Sequence, residues 1–128
     1  MNSVVRALTI LTVLTFLWQI IAEKGTRRHI IGGVFVGVSA IMVVIINTIL
    51  IATSRGLIWD FPFLLHIGFG VCFLFAWLLT VFSGYLRMQG RIKKMSHRRL
   101  AWAQGIFLLL TALTGIGIPY LRTLIAGI

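Results

Sequence analysis

HIIGGVFVGVSAIMVVIINTILIAT, residues 29–53, decides the fold. No Asp, Glu, Lys or Arg interrupts it, and it exceeds the roughly 20 apolar residues that a helix needs to cross a bilayer core. In a chain of 128 residues there is too little other structure to bury such a helix away from water. Three more long apolar runs lie around it, at about Ser3 to Ala22, Phe61 to Leu86 and Ser96 to Leu121. Composition agrees: 59% of residues are hydrophobic and 11% charged, where soluble domains carry about a quarter charged. Mean hydropathy is +1.05. The expectation is an all-α integral membrane protein, one domain over residues 1–128, with no soluble catalytic module between the spans.

The connections fix the order of the helices. Glu23 to Arg28, Ser54 to Asp60 and Arg87 to Met95 are short, so sequential helices are antiparallel neighbours in an up-down-up-down bundle. Pro119, following Gly115 and Gly117, is expected to kink or fray the last helix. The formal charge is +10, from twelve Lys and Arg against Glu23 and Asp60. Lys24, Arg27, Arg28, Arg87, Arg91, Lys93, Lys94, Arg98 and Arg99 flank the first and third connections; Arg6, Arg55 and Arg122 fall on the other side. That asymmetry puts both basic loops in the cytoplasm and both termini outside, in a cell's inner (cytoplasmic) membrane. The basic excess is thus a topology signal, met by anionic headgroups rather than by nucleic acid. Trp18, Trp59 and Trp102 fall near helix ends, where interfacial aromatics belong. The first helix is read as retained, since no small-residue cleavage site follows it. Cys72 stands alone within an apolar run and is read as packing.

Three histidines carry the chemistry available to this chain. Both acids lie outside the spans, which disfavours a proton-coupled transporter working as a dimer. His29 and His97 open helices 2 and 4, which run parallel and lie diagonally across the bundle, so both imidazoles sit at one depth. A diagonal of roughly 13–15 Å, expected when neighbouring helices are 8–10 Å apart, suits a His–iron–His arrangement. Helical periodicity puts Gly33, Gly37 and Ala40 beneath one histidine, and Ala101, Gly105 and Ala112 beneath the other. A porphyrin needs small residues facing it, and Arg27, Arg28, Arg98 and Arg99 are placed to bind its propionates. The same small residues also let membrane helices pack closely, Gly33-x3-Gly37 being the familiar motif, so haem ligation and plain packing both stand. The similar openings of helices 2 and 4 also raise a two-hairpin repeat.

His66 lies about five residues inside helix 3, where Asn47 of helix 2 is its expected hydrogen-bond partner. It is otherwise a quinone or proton site, or a second or alternative metal ligand; helix 1 holds no histidine to complete a second bis-histidine haem. Thr9, Thr12 and Thr15 are expected to bond to backbone carbonyls or a neighbouring helix.

At His29, His66 and His97-Arg98-Arg99 the chain resembles small bacterial membrane proteins related to cytochrome oxidase assembly factors, over roughly residues 24–121. More loosely it is similar to the ascorbate-type transmembrane b cytochromes, from which it departs by lacking a fourth histidine. The resemblance implies haem b or a respiratory-chain connection. The expected role is electron transfer or haem handling rather than substrate turnover, with a respiratory complex, a quinone or a second copy as partner. The alternative is a cofactor-free accessory or assembly subunit of a respiratory complex.

Overall fold

The computed structural model describes residues 3–21, 27–54 and 59–128. They form α1 (Ser3–Ile21), α2 (Arg27–Ser54), α3 (Phe61–Met88) and α4 (Lys94–Ala126), with no strand among them. Each helix is long and apolar enough to cross a membrane, as expected where every backbone polar group must be satisfied within its own segment. Ala22, Glu23, Lys24 and Arg55 of the sequence reading lie outside the described residues.

The four expected spans appear with longer ends. α3 continues to Met88, and Gly90 follows at φ 71, the left-handed backbone that turns the chain back into α4. α4 runs through Pro119 to Ala126, five residues past the expected end at Leu121. A proline removes one backbone donor only, and Thr123 Oγ1 donates back to the Pro119 carbonyl at 2.9 Å. Arg122 anchors that extension by pairing with Asp60. Asp60 also caps α3, accepting from the Phe63 backbone N–H at 3.2 Å, with Pro62 in the first turn. The threonine expectation is met: Thr9, Thr12 and Thr15 donate to the carbonyls of Val5, Leu8 and Leu11. Thr12 also reaches Ser39 on α2 at 3.1 Å.

The helices form a ring in which each touches its sequence neighbours and α1 touches α4. The α3/α4 hairpin is the most intimate, then α1/α2; backbones of the two hairpins approach more sparsely. Larger side chains bridge that wider gap. Val36, Ala40, Phe73 and Leu108 form the buried core, with Phe16, Leu74, Trp77 and Phe107 packed against it. Trp77 is the centre of the bridge. Its Nε1–H donates to the Gly33 carbonyl at 2.8 Å, and its indole lies so close to Gly37 that a Cβ there would overlap ring atoms. Most other large apolar side chains face outwards, as they should against lipid.

Two predictions follow from the packing and the ion pair. Gly37→Ala should destabilise the bundle by about 1–3 kcal/mol through overpacking against Trp77, read as a lower unfolding midpoint in detergent. Gly68→Ala, where an added Cβ meets nothing, should leave the midpoint within about 0.5 kcal/mol of wild type. The Arg122 guanidinium, bonded to Asp60, is the main cause holding that carboxyl below its ordinary 3.8. Its stabilisation is therefore present above that value and disappears as pH falls through the lowered one. Asp60→Asn should lower the midpoint at neutral pH, and the difference from wild type should close in the acid range below 3.8.

Candidate functional site

The parallel helices α2 and α4 carry His29 and His97 in their first turns and bring those rings together across the bundle diagonal. The imidazoles of His29 and His97 have centroids 6.4 Å apart and an interplanar angle of 75°. Each is held from behind. His29 Nδ1 lies 3.2 Å from the Gln19 carbonyl oxygen, which only accepts, so Nδ1 carries the proton. His97 Nδ1 lies 2.8 Å from Ser83 Oγ, whose own hydrogen is directed to the Thr80 carbonyl at 2.8 Å. Ser83 therefore accepts, and His97 is also the Nδ1–H tautomer. An Nδ1 engaged by a backbone carbonyl or a hydroxyl is the arrangement commonly found behind a metal-ligating imidazole.

A metal held by both rings needs centroids roughly 6 Å apart, given metal–nitrogen bonds of about 2 Å and about 1 Å from nitrogen to ring centre. The observed separation fits that donor set. No group of three or more His, Cys, Asp or Glu able to hold an ion occurs among the described residues.

The layer beneath the rings is filled. A Cβ on Gly33 would lie 2.6 Å from Gln19 Nε2, and one on Gly105 2.6 Å from Phe16 Cζ. Gly37 carries the Trp77 indole, and Ala101 is half-buried. The glycines are thus close-approach points for side chains of α1 and α3. Seating a macrocycle on these faces requires Gln19, Trp77 and Phe16 to turn away. Arg27, Arg28, Arg98 and Arg99 are exposed around the same end, within reach of anionic groups at the surface.

Gln19, Ser83 and Trp77 are site residues that the sequence reading missed, because their partners lie on other helices. Gln104 is another. It is 2% exposed, and its Nε2 is the buried side-chain atom without a partner among the described residues. Its position seven residues after His97, on one helix face, is the signal that would have found it.

His66 does not meet Asn47. Its Nδ1 is 3.1 Å from Thr114 Oγ1 on α4, and its ring lies against Gly115. The α3/α4 hairpin packs more closely than α2/α3, so the imidazole finds its partner within the hairpin. His66 is 17 residues before Ser83 on α3, about 26 Å along the helix, so it cannot join the His29/His97 pair.

No family model, curated protein or solved structure matches this chain.

Ser83→Ala should leave His97 Nδ1–H without its acceptor, costing about 1–3 kcal/mol. Imidazole 15N shifts should then show His97 redistributing between tautomers while the His66 shifts stay unchanged. An unchanged His97 spectrum would refute the Ser83 anchor.

Proposed function

We propose that this chain binds one haem b at its basic, cytoplasmic end, where His29 and His97 would hold the iron, and serves electron transfer or haem handling in a respiratory chain. The observation that carries this reading is the facing imidazole pair, 6.4 Å between centroids, with each Nδ1 already engaged. Holding each imidazole by its Nδ1 is how proteins commonly orient a pair of ligating histidines. A haem held by both imidazoles would supply one-electron transfer rather than oxygen chemistry.

The chain's own residues have separate tasks in this reading. The Gln19 carbonyl and Ser83 hydroxyl fix the tautomers and ring orientations. Arg27, Arg28, Arg98 and Arg99 bind the propionates by charged hydrogen bonds. Gln19, Trp77 and Phe16, which fill the glycine faces, would have to turn aside to admit the macrocycle. Placement in the inner membrane with both termini outside rests on the distribution of Lys and Arg. The resemblance to oxidase assembly factors and to b cytochromes points to the same respiratory setting.

A second reading has its own observation. The glycine faces are occupied by Gln19, Trp77 and Phe16, as in a cofactor-free accessory subunit whose small residues serve helix packing alone. A pyridine haemochrome assay on protein expressed with ample haem separates the two. Wild type should carry about one haem per chain, while His29→Ala and His97→Ala should each lose most of it. Colourless wild type, or full retention in both variants, would leave the accessory-subunit reading.

A further inference from the structure

The Asp60–Arg122 pair ties α3 to α4 at the end of the bundle opposite the paired histidines, and its chemistry is independent of haem. Arg122 stands 25 residues after His97 on α4, about 37 Å along the helix. That exceeds a hydrocarbon core of about 30 Å. With His97 at one boundary, the ion pair therefore lies in the headgroup layer of the other. Trp59 and Tyr120, both strongly exposed, mark the same level. The pair is not sealed: the Arg122 side chain is 38% exposed and that of Asp60 29%. Beside it opens a cleft of about 320 Å³, lined by Asp60, Phe61, Pro62, Arg122, Ile125 and Ala126. One positive and one negative group thus stand on an otherwise apolar cleft.

We propose that this cleft binds the headgroup of phosphatidylethanolamine, a zwitterionic phospholipid with a primary amine, its phosphate on Arg122 and its ammonium beside Asp60. A guanidinium has five N–H donors. Arg122 gives two of them to Asp60, from Nε to Oδ2 and from Nη2 to Oδ1, and the remainder are unclaimed among the described residues. Those donors suit phosphate oxygens, which accept charged hydrogen bonds. The Asp60 carboxylate accepts from Arg122, from the Phe63 N–H and from its own backbone N–H, and its exposed face borders the cleft. Charge then selects the head. The pair sums to zero, so an anionic lipid gains Arg122 but meets Asp60, whereas a zwitterion is attracted by both. A primary ammonium also has hydrogens to donate to a carboxylate oxygen, and a quaternary one has none. Phe61, Pro62 and Ile125 offer apolar walls to the glycerol and the first acyl carbons.

The test is native mass spectrometry of the full chain in detergent, titrated with the dioleoyl forms of phosphatidylethanolamine, phosphatidylcholine and phosphatidylglycerol. Wild type should bind the ethanolamine lipid about fivefold tighter than either of the others, a modest ratio because the charges are partly exposed. Arg122→Gln should remove that preference. Asp60→Asn, which keeps a capping side chain for α3, should reverse it in favour of phosphatidylglycerol, since Arg122 then carries an unpaired charge. Ala126→Phe, which fills the cleft and leaves the pair alone, should weaken ethanolamine-lipid binding at unchanged helix content. The double variant His29→Ala/His97→Ala should bind like wild type, which keeps this site distinct from any haem. Equal affinity of wild type for the ethanolamine and choline lipids would overturn the proposal. So would tighter binding of phosphatidylglycerol by wild type, or an unaltered lipid order in Asp60→Asn.

Discussion

The approach of the two hairpins through Trp77 sets the geometry on which everything else rests. Within each hairpin, helices lie close and need little between them; between the hairpins, an indole is laid flat on Gly37 and tied to the Gly33 carbonyl. Because the alternative for a buried indole N–H in hydrocarbon is no partner at all, that single bond fixes α3 against α2 more firmly than its net value in water implies. Fixing α2 against α3, with α3 already packed along α4, also fixes the diagonal from α2 to α4. The His29 and His97 rings meet across that diagonal.

Much of this was legible in the sequence, for a physical reason. Span length and hydropathy are properties of single segments, so four helices and their antiparallel order could be read from runs and short connections alone. The histidine pair was legible too, because two parallel helices opening with the same residue place it at the same depth. What the glycines face was not legible. Gly33, Gly37 and Gly105 announce a close approach, but whether a cofactor or another helix's side chain makes it depends on register between helices. Gln19, Trp77 and Phe16 arrive from α1 and α3. The His66 partner failed for a related reason: Asn47 and Thr114 lie at similar depths, and only relative helix spacing chooses between them. The Asp60–Arg122 pair across 62 residues was likewise hidden, although an aspartate two residues before Pro62 is a readable helix start.

The three histidines share one device at two depths. Each Nδ1 is directed to an oxygen that can only accept, or whose hydrogen is already spent on a carbonyl one turn back. Ser83 and Thr114 owe this to their place in α-helices, where a hydroxyl bonds to a carbonyl three or four residues earlier. A hydroxyl so engaged becomes an acceptor with a fixed direction. A helix thereby sets the tautomer of an imidazole on its neighbour, without a carboxylate, in a membrane where a carboxylate would be expensive.

The distribution of buried polar groups then separates the two ends of the molecule. Thr12, Ser39, Thr80, Ser83 and Gln104 are the buried polar side chains among the described residues, and all lie within a few turns of the paired histidines. All but Gln104 use their hydroxyls on carbonyls or on one another. An orphaned amide donor costs about 1–3 kcal/mol, and it is set two turns below His97, in the layer occupied by Phe16 and Trp77. That layer lies directly under the two imidazoles held by the Gln19 carbonyl and the Ser83 hydroxyl, so the orphaned amide and the paired rings share one end of the bundle.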